Sequence, residues 1–187
     1  RWLSDWSSDV CSSDLKEIVL AAILLASGLV FHSVTPPVFG GVKPDFLLST
    51  MVIAILSQPK LRNTLLIGAV AGILAALTTG FPGGQIPNII DKLASALLTL
   101  VLIKATVKIH SMVVLGLISG LITIFSGFIF LGSALLLVGL PAPLSVLFVV
   151  VVLPTAVANI VVGGVLFKLY QTLVKPSFER KLSSLTS

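Results

Sequence analysis

Long apolar runs, separated by short turns rich in Pro, Gly and Lys, make up most of the chain. The runs are continuous rather than alternating, a pattern that favours buried helices over half-buried strands. Several approach the ~20 residues that a helix needs to cross a bilayer, and a helix satisfies its own backbone hydrogen bonds in lipid. The pattern predicts an all-α polytopic membrane protein with six transmembrane helices, at about 16–34, 44–57, 61–79, 87–103, 113–138 and 144–169.

Three of these segments carry features that bear on packing. The second is short and covers only ~20 Å at ~1.5 Å per residue, so it is either shallow or extends through Pro59. The third holds Gly68 and Gly72, four residues apart, which predicts the close approach of a neighbouring helix. Pro154 lies inside the sixth segment and is expected to kink it.

Composition and charge agree with a membrane location and orient the chain. Hydrophobic residues make up 56% and charged residues 10%, and the mean hydropathy is +1.15. The positive-inside rule places the more basic set of segment ends in the cytoplasm, so both termini are predicted to be cytoplasmic, with 175–187 as a short cytoplasmic tail. This set contains Lys16, Lys60, Arg62, Lys104, Lys108, Lys168, Lys175, Arg180 and Lys181. No basic patch is interleaved with aromatic residues, so nucleic acid is not an expected partner.

The first fifteen residues do not follow this pattern. The stretch 1–15 is polar, repeats Ser-Ser-Asp, and holds the single cysteine and both tryptophans. It resembles the translation of a sequencing-library adapter, and we expect it to be an artefact that hides the natural N-terminus. A genuine disordered cytoplasmic tail is the alternative. The membrane domain is then expected to span 16–174.

The polar stretch from Gly80 to Lys92 is the centre of the candidate chemistry. It joins two apolar segments, and ionisable residues inside a membrane segment are rare and usually functional. A zwitterionic solute needs an acceptor for its ammonium and a donor for its carboxylate, which Asp91 with Lys92, or Lys43 with Asp45, could supply. Alternatively, the two pairs bind each other and hold two helix ends together. The residues expected on one polar helix face, by helical spacing, are Asn88, Asp91, Lys92, Ser95 and Thr99.

The chain lacks the residue patterns of an enzyme. An intramembrane serine protease needs a nucleophilic serine and a histidine on a later helix, but the only histidines are His32 and His110. The sequence also contains no metal-ligand cluster and no phosphate-binding loop. We therefore expect neither catalysis nor a metal or other cofactor.

Several motifs resemble those of the bacterial tryptophan transport protein family. They are His32-Ser33, Pro36-Pro37, Gly40-Gly41-x-Lys43-Pro44-Asp45, the block from Thr78 to Asn88 followed by Asp91-Lys92, and Leu153 to Val157 followed by Asn159. The resemblance covers essentially all of Lys16 to Val174. It implies a protein of the bacterial inner membrane that takes up a small solute, with tryptophan as the favoured solute.

The family is in turn similar to the substrate-binding S components of energy-coupling factor transporters. That resemblance implies a substrate site near the outer face, and an Ala-x-x-x-Ala motif, here Ala22 and Ala26, that meets an energy-coupling module. An S component for a vitamin-type ligand, or a structural or assembly subunit without a solute, remains open. Phe31, Phe39 and Phe81 are the outer aromatic residues that could line an indole slot. The predicted substrate-binding residues are Asn88, Asp91, Lys92, Gln85, Lys43, Asp45, Phe81, His32 and Asn159.

Overall fold

The structure, a computed structural model, describes residues 2–35, 44–106 and 111–174. Every element in these ranges is helical. Lys43, Phe39, His110 and the predicted tail 175–187 lie outside the described residues. The helices are α1 (Trp2–Val34), α2 (Phe46–Ser57), α3 (Leu61–Leu77), α4 (Gln85–Ala105), α5 (Met112–Leu137), α6 (Leu144–Leu147) and α7 (Leu153–Leu169), with π-helical turns at Phe148–Val152 and Tyr170–Val174.

Each of the six predicted segments is helical in the structure. Four stretches are long and apolar enough to cross a membrane, namely Glu17–Val34, Gln85–Ala105, Met112–Leu137 and Leu144–Thr172. The helices α2 and α3 are apolar but shorter, with 12 and 17 residues. Helix α1 begins at Trp2 and therefore runs through the polar stretch that the sequence sets apart.

The short helix α2 lies at the centre of the bundle. It contacts α1, α3, α4, α5 and α7, and nine of its 12 residues are buried. The Asp45 side chain caps its N-terminus, since one carboxylate oxygen accepts the Leu48 N–H at 2.9 Å. A helix that is surrounded on all sides needs no polar face, which explains why the sequence of α2 is apolar all round.

Small residues set the spacing of the outer helices. A Cβ atom at Gly68 would lie 2.7 Å from the Ala96 Cβ of α4, and one at Gly116 would lie 2.6 Å from the Ile160 carbonyl oxygen of α7. These pairs of helices therefore approach more closely than any larger side chain allows. The prediction that Gly68 and Gly72 mark a close helix contact is confirmed, because both face α4.

The last span is a single helical stretch with a local irregularity. The π-helical turn Phe148–Val152 comes directly before α7, in which Pro154 occupies the first turn. Proline has no N–H to donate, and its ring crowds the carbonyl of the residue four positions earlier. A widened turn at this place is a common way for a helix to accommodate both effects.

Polar contacts tie the turn between α2 and α3 to α1. Gln58 Nε2 donates to the Glu17 carbonyl oxygen at 2.8 Å, and Lys60 Nζ lies 2.9 Å from Glu17 Oε2. Asn63 Nδ2 donates to Gln58 Oε1 at 2.7 Å. This polar cluster lies at the end of the bundle where α2 ends and α3 begins, opposite to Asp45.

We expect Gly116→Ala to destabilise the protein and Gly132→Ala on the same helix to leave it as stable or more stable. The added methyl group at Gly116 meets backbone of α7, and such overpacking costs about 1–3 kcal/mol. A Cβ atom at Gly132 meets nothing within 4 Å, and alanine favours a helix over glycine by about 1 kcal/mol. Thermal unfolding in detergent measures both. Equal unfolding temperatures for the two variants would contradict the close contact between α5 and α7.

Candidate solute-binding site

A cavity of about 610 Å³ lies at the end of the bundle where α1 ends and α2 and α4 begin. Its volume falls in the range of roughly 300–1,000 Å³ that is typical of small-molecule sites. The polar side chains in its wall include His32, Asp45, Asn88, Asp91, Lys92 and Ser126. The large apolar side chains in its wall include Phe81, Phe130, Leu131, Leu147, Val151 and Val152.

The Lys92 ammonium is held between two carboxylates. Its Nζ atom lies 2.9 Å from Asp45 Oδ2 and 3.0 Å from Asp91 Oδ2, and it donates to Ser126 Oγ at 3.5 Å. The side chains of Lys92 and Asp91 are only 4% and 2% exposed, and that of Asp45 is 22% exposed. Asp45 is therefore the most exposed member of this charge cluster, and all three residues line the cavity.

The α4 residues reach the cluster because they share one face of the helix. Asp91, Lys92, Ser95 and Thr99 are all buried, which confirms the predicted polar stripe. Ser95 Oγ donates to Asp91 Oδ1 at 3.0 Å, so Asp91 is oriented from within its own helix. Asn88 is partly buried at the cavity, and its amide donates to the Gly84 carbonyl oxygen at 2.8 Å.

The sequence left open a purely structural pairing of the two charged segments, and half of it is present. Lys92 pairs with Asp45 and so joins α4 to the start of α2. The other expected ion pair, between Asp91 and Lys43, includes Lys43, which lies outside the described residues. The observed pair joins two helices and also lines the cavity, so the same atoms are placed both to hold the helices together and to meet a ligand.

Asn159 of α7 lies behind Asp45 and is completely buried. Its Oδ1 atom accepts the Asp45 backbone N–H at 3.0 Å, and its Nδ2 atom donates to Thr123 Oγ1 at 2.8 Å. Asn159 is not among the residues of the cavity wall. In this structure it touches the site through Asp45, so it links α7 and α5 to the charge cluster.

Some of the other predicted site residues line the cavity and others do not. His32 and Phe81 line the cavity, and the Phe81 ring meets Phe130 edge to face with centroids 5.5 Å apart. Gln85 is exposed at the start of α4 and is not part of the cavity wall. Phe31 is also outside the wall and packs near Phe46, 5.8 Å between ring centroids.

Sequence reasoning missed the contribution of α5. Ser126 and Phe130 line the cavity, together with Thr123 one turn earlier. The signal was available, since Ser119, Thr123 and Ser126 recur at helical spacing inside an otherwise apolar run. Among the described residues, no group of three His, Cys, Asp or Glu side chains is placed to hold a metal ion.

The fold and the site define a helical membrane protein with an internal cavity of solute size. A family model described as "Tryptophan transporter TrpP" matches residues 14–175. The chain belongs to this family, which confirms the resemblance seen in the sequence. The family is one of transporters and not of enzymes, in agreement with the residue patterns. Most of the stretch 1–15 lies outside the matched range.

Three relatives carry the name "Probable tryptophan transport protein". The protein of Bacillus subtilis (strain 168) is 46% identical over 165 residues, which cover 87% of this chain and 94% of the relative. The Clostridium acetobutylicum protein is 42% identical, over 82% of this chain and 91% of its own length. The Clostridium perfringens (strain 13 / Type A) protein is 35% identical, over 85% and 93%. No solved structure shows a significant match to the chain.

We expect Lys92→Gln to destabilise the unliganded protein more than Asp91→Asn. The first change leaves two buried carboxylates without their cation, and breaking a buried pair in this way costs about 3–5 kcal/mol. The second leaves Lys92 paired with Asp45. Thermal unfolding of both variants without ligand shows which of them is less stable.

The matched control for this comparison is Lys60→Gln. The Lys60 side chain is 55% exposed beside Glu17, and an exposed ion pair contributes only about 0–1 kcal/mol. If Asp91→Asn lowered the unfolding temperature as much as Lys92→Gln, the central place of Lys92 in the cluster would be wrong.

Proposed function

We propose that this protein takes up tryptophan across the bacterial cytoplasmic membrane, as the substrate-binding subunit of a transporter. The observation that carries the proposal is the buried cluster of Lys92, Asp45 and Asp91, which opens on a cavity that is also lined by an aromatic pair. Charged groups of both signs suit an amino acid, and aromatic rings suit its side chain. The names of the three relatives support the same solute.

Each part of tryptophan finds complementary chemistry in the cavity wall. The Asp45 and Asp91 carboxylates can accept the ligand ammonium, and Lys92 and Asn88 can donate to the ligand carboxylate. The indole ring can pack against Phe81 and Phe130, since edge-to-face or offset aromatic contacts add about 0.5–1.5 kcal/mol to the burial of the ring. Binding would then combine desolvated polar contacts at the charged groups of the ligand with an apolar contact at its ring.

The arrangement of the helices supports a cavity that opens to the outside of the cell. Lys60, Lys104 and Lys168 lie at or near the ends of α2, α4 and α7 that are remote from the cavity. The positive-inside rule assigns that end of the bundle to the cytoplasm. With six crossings of the membrane, both termini are then cytoplasmic and the protein is a multi-pass protein of the inner membrane.

The surface of α1 supports contact with an energy-coupling module. Ala22 and Ala26 are exposed and lie four residues apart on the apolar part of this helix. Small residues at this spacing allow another helix to approach closely. Ala22 also borders a groove of about 100 Å³, formed with the side chains of α3. We propose that a transmembrane coupling subunit, itself driven by ATPases, packs here.

Tryptophan is expected to raise the unfolding temperature of the purified protein, and other amino acids and common vitamins are not. At a ligand concentration of about 100 Kd the stabilisation is about 2.7 kcal/mol. Phe130→Leu is expected to weaken binding by roughly tenfold, since an aromatic contact is worth about one decade of affinity. Phe128→Leu on the same helix is the control, because Phe128 is 58% exposed away from the cavity wall. A vitamin that stabilises in place of tryptophan, or no stabilising solute, would overturn the proposal.

The orientation is tested by single cysteines at the two ends of α4, Gln85→Cys and Thr106→Cys, in a background with Cys11→Ser. We expect a membrane-impermeant thiol reagent to label the first variant in intact cells, and the second only after the cells are permeabilised. Both cysteines lie on α4, and the two variants differ only in which end of that helix carries the cysteine. Labelling of the Thr106 variant alone in intact cells would reverse the orientation.

Replacing both Ala22 and Ala26 with Leu is expected to abolish uptake while leaving tryptophan binding by the purified protein unchanged. The larger side chains fill the surface where the partner helix packs, and neither position lines the cavity. Ala105→Leu, at an exposed alanine near the end of α4, is the matched control and should transport normally. Uptake at the wild-type level in the double variant would show that α1 does not meet a coupling partner here.

A further inference from the structure

The last helical span, Leu144–Thr172, gives the cavity a wall that is apolar except at one side chain. Of the described residues in this span, those that line the cavity are Leu147, Val151, Val152 and Thr155. Three of them, Leu147, Val151 and Thr155, recur every four positions, so they follow one another along one face of the span. The hydroxyl group of Thr155 is therefore the polar group on an otherwise apolar face.

The hydrogen of this hydroxyl group is already engaged. Thr155 Oγ1 donates to the Val151 carbonyl oxygen at 2.7 Å. A threonine hydroxyl has one hydrogen to donate and two lone pairs that accept. While the bond to Val151 is kept, Thr155 offers a ligand an acceptor and no donor.

An indole ring needs an acceptor of this kind. Its N–H group donates and cannot accept, and a buried indole N–H usually has a hydrogen-bond partner. When the ring leaves water, the N–H loses a hydrogen bond that the cavity wall has to replace. An acceptor on an apolar face meets this need, because the rest of that face can pack against the carbon atoms of the ring.

Thr155 lies at a suitable distance from the charge cluster. Asn159 follows it by four residues, which is one helical turn of about 5.4 Å. The Asn159 side chain accepts the backbone N–H of Asp45 at 3.0 Å. The hydroxyl group is thus about one turn along α7 from the level of Asp45. The α-carbon and the indole nitrogen of tryptophan are separated by a similar length.

The titratable acceptors of the wall lie in its other part. Asp45 and Asp91 both contact Lys92, and His32 interacts electrostatically with Asp45. Asn88 lies on α4 one turn before Lys92. Under the proposed function, these groups meet the ammonium and the carboxylate of the ligand, and the ring extends away from them.

The other threonines of the wall are less suited to the indole N–H. Thr123 Oγ1 already accepts from Asn159 at 2.8 Å, and Thr79 Oγ1 accepts the Phe81 N–H at 3.3 Å. Thr78 donates to the Leu74 carbonyl oxygen at 2.8 Å and has the same acceptor character as Thr155. It is exposed at the end of α3, whereas Thr155 is partly buried. A hydrogen bond at Thr155 therefore competes less with water.

We propose that Thr155 accepts the indole N–H of the ligand, and that this contact distinguishes indole from rings of the same shape without an N–H. The proposal rests on the proposed function and adds a specificity-determining residue to the same cavity. A site that hydrogen-bonds a polar group of its substrate discriminates against an analogue that lacks the group, because the partner in the protein is then left unpaired.

The test compares tryptophan with 3-(3-benzothienyl)alanine, in which a sulfur atom replaces the N–H of the ring. We expect the unaltered full chain in detergent to bind the sulfur analogue roughly tenfold more weakly, because one neutral hydrogen bond is worth about a decade of affinity. In Thr155→Val, tryptophan should lose this advantage while the analogue keeps its affinity, so the two dissociation constants become similar. Thr155→Ser retains the hydroxyl group and should retain the preference. Titration calorimetry measures each pair.

The matched control is Thr172→Val. Thr172 belongs to the same helical span, and its hydroxyl group likewise donates to a carbonyl oxygen one turn earlier, that of Lys168 at 2.9 Å. It does not line the cavity, so the preference for tryptophan should persist. The two dissociation constants are measured on one sample, and their ratio is therefore insensitive to the fraction of folded protein.

The outcomes separate this inference from the proposed function. Equal binding of both ligands to the unaltered chain, or an unchanged preference in Thr155→Val, would refute the role of Thr155 while tryptophan binding stands. Loss of the preference in Thr78→Val alone would do the same, since the N–H would then meet α3. If neither ligand binds the unaltered chain, both proposals fail.

Discussion

The structure depends on how one lysine is accommodated inside an apolar bundle. An ionised lysine at the centre of a bilayer costs about 2.5–3.5 kcal/mol even on lenient scales, and Lys92 is nearly completely buried. Two carboxylates offset that cost. One of them belongs to α4 itself, and the other, Asp45, is the residue that begins α2. The position of the central helix α2 is therefore linked to the charge of Lys92 on the neighbouring helix α4.

The same contacts extend to the other side of the bundle. The backbone N–H of Asp45 is held by Asn159 of α7, which in turn donates to Thr123 of α5. One continuous series of hydrogen bonds therefore joins four helices, from Ser95 to Thr123. These bonds meet at the cavity wall, so a charged ligand would contact atoms that also set the positions of the helices. Under the proposed function, ligand binding and helix packing would use one set of groups, in a place where low dielectric strengthens each of these contacts.

Apolar packing supplies the rest of the fold without directional bonds. Glycines bring α3 against α4 and α5 against α7, and large apolar side chains cover much of the outer surface. An apolar surface of this kind is expected in lipid, where association of helices rests on close packing and polar contacts rather than on the hydrophobic effect.

The sequence by itself determined the helices, their order and one buried polar face of α4. Continuous apolar runs and Pro- or Gly-rich turns mark the segments, because backbone groups in lipid must be satisfied within a helix. Helical spacing alone placed Asp91, Lys92, Ser95 and Thr99 on one face. Only the tertiary structure decided that Lys92 meets Asp45, 47 residues away, that Asn159 lies behind it, and that α5 supplies Ser126 and Phe130. Those contacts depend on which helices become neighbours, and that is set by packing between distant segments, which no local pattern of residues records.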